Sequence, residues 1–465
     1  MRIEDTDQKR FVEGSVEKLI GTLQWAGLRH DEGPTKENQE KSAPSQNYPG
    51  INQIGAFGPY FQSERLEIYR KYALELVEKG LAYYCFCSAE RLEKLREQQT
   101  AEKKPTKYDG HCWENKLSQQ EIEEKIKNGE KYVIRMRVPQ NETIIVKDII
   151  RGKASFDSNG LDDQVLLKSD GFATYHLANV VDDHLMEISH VIRGEEWFPS
   201  LPKHILLYRF LGWQTPQFAH LPLLLNPDRS KLSKRQGDVA VEDYIAKGYL
   251  KEALINFVAL LGWNPGSGNN QEIFSLEELI ENFQLEKVHK AGAVFDLRKL
   301  DWLNGQYIKK KSPKEILELG RAHLQEFCQK NNLVADEELF LKISAIEKER
   351  MRKISDITEN AEIFFSLPEY ETKSLFWKQM TTEAVKESLK KAKKILEETE
   401  DPIDLQKITE KFLAAGGEKR GELLWPTRVA LSGKEKSPSP FELIWALGKQ
   451  ESLSRIETAE KKLAT

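Results

Sequence analysis

From about residue 309 onward the sequence carries no strand-forming run, whereas the part before it mixes short β-rich runs with amphipathic helices. A strand-free stretch can bury its apolar faces only helix on helix, and a mixed stretch can build sheets, so the chain divides into an α/β part and a helical part. In the second part, Val385, Leu389, Ala392 and Leu396 recur at helical spacing and predict one buried face. In the first, β-rich runs at 132–138, 143–150 and 165–167 are separated by Pro139, Gln140 and Asn141 and by a turn at 157–160. They predict a small mixed domain inserted between two halves of another, because after Tyr175 helices again alternate with apolar strands such as 221–225.

Near the N-terminus, Val16, Leu19, Ile20 and Leu23 predict a helix after the charged opening Arg2-Ile3-Glu4-Asp5-Thr6-Asp7. The polar stretch 31–50, with Pro34, Pro44 and Pro49, reads as loop. Ser63 is expected to cap the next helix, Leu66, Tyr69, Ala73 and Leu76 to line its buried face, and Gly80 to close it.

At 465 residues the chain has room for about three ordinary domains. No apolar run approaches the ~20 residues that span a bilayer, and the charged opening is no secretory signal, so a cytoplasmic protein without membrane contact is expected. Four cysteines cannot form a disulfide framework in a chain of this length. A net charge of −5 excludes nucleic-acid binding by bulk positive charge, but not local basic faces or recognition of shape and splayed bases.

Several short segments carry chemistry. Lys231-Leu232-Ser233-Lys234-Arg235 follows the apolar run 221–225 and a turn-prone linker, and its cations can converge on a triphosphate whose charge builds as pyrophosphate leaves. Read by itself, it could equally be a solvated basic loop. Glu4 stands where a strand end would present a carboxylate at the ligand-binding edge of a parallel sheet, whereas Asp5 and Asp7 fit an acidic helix start. Tyr175 and Asn179 lie at i and i+4 and would share one helix face. Arg193 can offer a carboxylate the planar fork that lysine lacks. His176 and His184 lack a third nearby ligand and read as structural or nucleotide-adjacent. Cys85, Cys87 and Cys112 can converge on a metal ion. The charges at 347–353 suit a solvated helix face.

Together these segments resemble the glutamyl-tRNA synthetases of class I, over essentially the whole chain. The resemblance implies a Rossmann-like α/β catalytic domain carrying an inserted α+β acceptor-binding domain, followed by an all-α anticodon-binding region. The expected divisions are 1–68 and 169–225 for the catalytic halves, 69–168 for the insertion, 226–308 for the signature loop and stem-contact region, and 309–465 for the helical region. The implied activity is ATP- and Mg2+-dependent joining of L-glutamate to tRNA(Glu) by a monomer. By motif match, Lys234 contacts the ATP phosphates with Lys231, Ser233 and Arg235 in support, and Glu196 binds ATP. Glu4 pairs with the substrate ammonium, Tyr175 and Asn179 line its pocket, and Arg193 holds glutamate. Arg350 and Arg428 match anticodon-reading positions. Some members bind zinc through Cys-x-Cys and Cys-x-His, and here Glu114 stands at the histidine position with His111 as the alternative fourth ligand.

The helical final third distinguishes the chain from a shorter glutamyl paralogue that modifies a tRNA base, and the segment 174–184 matches glutamate enzymes better than glutamine ones. The family's first ATP motif, a His-x-Gly-His-like helix start expected before Arg2, is not in the sequence. That difference corresponds to on the order of 30 residues, and the expectation is a truncated chain whose activity is in question, with a tRNA-binding protein lacking ligase activity as the alternative.

Overall fold

The computed structural model describes residues 1–7, 12–36, 42–115, 117–232, 240–266 and 270–464. The chain forms two compact units, one of Met1–Gln236 with Val258–Phe295, the other of Gly237–Phe257 with Asp296–Thr465.

The first unit is α/β. Its parallel pairings are Ile3 with Phe61, His190–Gly194 with Gln217–Leu221, and Leu224–Leu225 with Ala293–Val294. The 190–194 and 217–221 strands pair His190 with Gln217 and Arg193 with His220. The segment 82–167 supplies an antiparallel sheet of Ala82–Cys85, Val133–Met136 and Val165–Leu167, and a hairpin of Thr143–Asp148 with Gly152–Asp157. The alternation in Thr143–Asp148 buries Ile144, Val146 and Asp148 and leaves Thr143, Ile145 and Lys147 exposed, as a two-residue period requires. This segment shares one core with the residues before and after it, because Ile134, Met136, Ile144 and Val146 pack in the same apolar cluster as Tyr69, Leu76, Leu177, Leu206 and Phe218.

Local expectations are corrected at several points. The stretch 31–50 contains the short strands Gly33–Thr35 and Ala43–Pro44, both paired with Asn52–Ile54; such pairing supplies backbone partners that turn composition does not reveal. The helix Leu66–Glu78 buries Tyr69, Ala73 and Leu76, but its N-cap is Arg65. Ser63 lies in a preceding 3-10 turn and gives its hydroxyl and amide to Asp5, at 2.6 and 2.8 Å. Asp5 therefore pins that turn instead of serving the helix Ser15–Ala26. In that helix Val16 and Ile20 are buried with Ile51 and Phe61, while Leu19 is exposed.

The second unit contains helices only, among its described residues: Leu297–Lys310, Pro313–Lys330, Glu337–Glu347, Thr382–Glu397, Leu405–Gly416, Arg420–Ser432 and Pro440–Lys462 are the principal ones. Thr382–Glu397 buries Val385, Leu389, Ala392 and Leu396 on one stripe. Its N-cap Thr381 accepts from the amide of Ala384.

Candidate functional site

The helix Tyr175–Leu185 is held by its far end. Asp182 is wholly buried and accepts from Arg65 Nε (2.7 Å), Tyr69 Oη (2.8 Å) and Gln62 Nε2 (2.9 Å), which ties the helix to 62–69. Next to it Asp183 accepts from Arg2 Nη1 at 2.8 Å, and Arg2 Nη2 donates to Glu4 at 3.0 Å. Burial pushes the Asp183 carboxyl above its ordinary range, and Arg2 offsets part of that push. The pins place Tyr175 and Asn179 beside Glu4.

Arg193 approaches from the strand His190–Gly194. The register that sets it opposite His220 lets its Nε donate to His220 Nε2 at 3.1 Å. Nη1 donates to Tyr175 Oη at 2.9 Å, and Nη2 bonds His204 Nδ1 at 3.1 Å. Each histidine is itself backed, His220 Nδ1 by Asp148 Oδ2 at 2.6 Å and His204 Nε2 by His176 Nδ1 at 2.9 Å. Burial first, then Lys203 and Arg193, lowers the His176 pKa to about 4. Burial and the charge of Arg193 push His204 well below its ordinary value. Burial raises Tyr175, against the pull of Arg193. For Asp148, burial acts upward but is outweighed by the hydrogen bonds from His220 and from the amide of Arg151, so its pKa is lowered.

Glu4, Tyr175, Asn179 and Arg193 line one cavity of about 530 Å³ together with Arg2 and Trp197. Trp197 packs on Tyr175 with ring centroids 4.2 Å apart. Asn179 is buried, and its Oδ1 has no hydrogen-bond partner among the described residues, an acceptor left for a ligand. Arg193 has five N–H donors and spends three on the protein, which leaves two for a bound carboxylate. Two acceptors and a cationic fork in one cavity complement an amino acid.

Glu196 is exposed, with its carboxylate folded over Gly194, where a Cβ would collide with it. Lys231 is exposed and bridges back to Leu225, with Leu232 N donating to Leu224 O at 2.9 Å. Ser233, Lys234 and Arg235 lie outside the described residues.

The sulfurs of Cys85, Cys87 and Cys112 lie within 4.8 Å of one another, with Cys87 and Cys112 at 3.5 Å. Tetrahedral zinc with bonds of about 2.3 Å separates its sulfurs by roughly 3.8 Å, so the donor set fits. The hydrogen bond from Cys112 is the chief cause lowering the Cys85 pKa to about 4, with Cys112 raised in return. Glu114, at the end of the short helix His111–Glu114, is exposed and not part of this group; His111 bonds Asn115 instead. Tyr108 Oη lies beside the sulfurs, 3.5 Å from Cys85 and 3.3 Å from Cys87. His184 stacks on Trp213 at 3.9 Å.

In the helical unit, Arg350 donates to Glu442 at 2.8 Å and to Ile346 O at 2.6 Å. Arg428, on Arg420–Ser432, has a buried Nε without a partner among the described residues, and burial followed by the charge of Arg350 lowers its pKa.

Sequence reading missed His220, Asp148 and His204. The available signal was a polar residue inside an apolar strand, Phe218-Ala219-His220-Leu221, whose partner only the register reveals.

Residues 1–302 match the model of the tRNA synthetases class I (E and Q), catalytic domain, and 315–460 match an anticodon-binding domain. The chain is 46% identical to a glutamate–tRNA ligase of Alkaliphilus metalliredigens over all of its own length and 92% of that relative. It is 43% identical to one from Clostridioides difficile, over 98% of this chain and 91% of the other. The fold matches a glutamate tRNA ligase from Elizabethkingia meningosepticum, solved in complex with its amino acid, with a TM-score of 0.81 and 36% identity over 99% of this chain and 92% of that one. With catalytic and anticodon-binding regions both matched and identity sustained along its length, the chain belongs to the glutamate–tRNA ligases, within the class I aminoacyl-tRNA synthetases.

Proposed function

We propose that the chain activates L-glutamate with ATP and transfers the glutamyl group to the 3′ end of tRNA(Glu). The observation that carries this reading is the cavity in which Glu4 and the free Oδ1 of Asn179 offer acceptors while Arg193 offers donors. Glu4 and Asn179 take the substrate ammonium, and Arg193, steadied by Tyr175, takes a carboxylate. A carboxylate oxygen of glutamate attacks the α-phosphorus of ATP and pyrophosphate leaves; the terminal ribose hydroxyl then attacks the glutamyl carbonyl and AMP leaves. Lys234 with Lys231, Ser233 and Arg235 stabilises charge on the departing pyrophosphate, and Glu196 orients the nucleotide. Mg2+ bound with ATP would supply positive charge beside the triphosphate. Arg350 and Arg428 read the anticodon, and Cys85, Cys87 and Cys112 would hold a structural zinc ion. No helix among the described residues is long and apolar enough to cross a membrane; the reading places a monomer in the cytoplasm, where its tRNA is.

Charging of tRNA(Glu) with labelled glutamate in the presence of ATP tests the reading. Binding of that tRNA without charging overturns it in favour of a non-catalytic tRNA-binding protein. Lys234→Ala is expected to slow activation about 10²-fold or more, and glutamate-dependent pyrophosphate exchange within about threefold of the unsubstituted chain would remove Lys234 from its role.

A further inference from the structure

The guanidinium of Arg193 can only donate, so each group facing it must accept. His220 meets it with Nε2, which leaves the proton of its neutral ring on Nδ1, where it is donated to Asp148 Oδ2 at 2.6 Å. His204 meets it with Nδ1, and its proton therefore sits on Nε2 and goes to His176 Nδ1. Burial pushes the pKa of both His204 and His176 down, in keeping with neutral rings. Asp148 cannot reorient, because its other oxygen, Oδ1, accepts from the amides of Arg151 (2.7 Å), Ile150 (3.0 Å) and His220 (3.3 Å).

We propose that Asp148 and His220 are positioning residues for glutamate recognition: Asp148 fixes His220 as the Nδ1–H tautomer, so that His220 presents a lone pair to Arg193 and holds the fork in plane for the substrate carboxylate. The proposal rests on the reading of Arg193 as the glutamate-binding arginine. Asp148 belongs to the inserted hairpin and His220 to the parallel sheet, so the insertion contributes to the amino-acid pocket without touching the substrate.

The discriminating substitution is Asp148→Asn. The three backbone amides keep the Asn carbonyl at the Oδ1 place, so its NH2 must face His220 Nδ1. His220 then accepts there and carries its proton on Nε2, pointing it at the Nε–H of Arg193. A carboxylate-to-amide change that imposes the wrong histidine tautomer has the same logic in the serine-protease triad. Asp148→Asn is expected to weaken L-glutamate binding by the full chain roughly 10- to 100-fold, the scale of one hydrogen bond to a charged group. The double variant Asp148→Asn with His220→Gln regains most of the loss, because the Gln carbonyl can face Arg193 whatever stands at 148; a merely structural role for Asp148 predicts no such rescue.

Glutamate affinity is read by calorimetry, and the tautomer by 15N NMR of imidazole-labelled protein, with the His220 signal assigned by its loss in His220→Gln. Nδ1–H in the unsubstituted chain and Nε2–H in Asp148→Asn support the relay. Nε2–H in the unsubstituted chain overturns it, even if Asp148→Asn fails to fold, and so does unchanged affinity in a folded Asp148→Asn. Absence of glutamate binding by the unsubstituted chain defeats the functional reading instead, while the tautomer still decides the relay.

Discussion

Replacing Asp182 by alanine removes three hydrogen bonds at the point where the pocket helix meets the segment 62–69. Arg65 is itself buried and keeps the carbonyls of Pro59 (3.0 Å) and Phe57 (3.4 Å), which solvate its donors without neutralising its charge. Breaking a buried ion pair by removing one partner costs about 3–5 kcal/mol. The amide of Gln62 and the hydroxyl of Tyr69 lose partners as well, at about 1 kcal/mol each when some relaxation is allowed. The expected loss is thus about 5–7 kcal/mol, or a fall in melting temperature of roughly 10 °C for a unit of this size. Thermal and urea unfolding followed by circular dichroism measure it, with Asp182→Asn as the comparison. The amide keeps an acceptor for Arg65 and should lose less. A loss of under about 1 kcal/mol in Asp182→Ala would refute the view that this carboxylate anchors the helix, since that is the scale of an exposed pair.

Acid should destabilise the first unit through His176. Its folded pKa of about 4 lies below the ordinary 6.5, so between those values the unfolded chain binds more protons and stability falls as pH drops, by up to about 3 kcal/mol from this ring. Urea midpoints from pH 7.5 down to 4.5 should show that slope, and His176→Gln should flatten it; an unchanged slope counts against the buried neutral ring. For the cysteine group, elemental analysis of protein made with zinc supplied should find about one zinc per chain, and Cys112→Ser or chelation should lower both that content and the melting temperature. Zinc-free protein with unaltered melting would mean that the thiols serve as packing alone.

The sequence by itself singled out Glu4, Tyr175, Asn179 and Arg193, in short linear motifs, four residues that the structure brings to one cavity. It also determined the helical character of the final third, since the period of Val385, Leu389, Ala392 and Leu396 is a local property. Which groups meet across strands is not local. The pairing of Arg193 with His220 depends on a register between segments more than twenty residues apart in sequence, and Asp148 reaches His220 from a hairpin farther away still. Ser63 was expected at a helix cap and instead bonds Asp5, and Glu114, one of two alternatives for a fourth metal ligand, is exposed and outside the group of three sulfurs. In each case a side chain with several chemically adequate roles was committed to one by its neighbours in space. The tertiary structure alone decided that Arg193 is held by His220, His204 and Tyr175, because only packing can bring groups from three separate segments to one guanidinium.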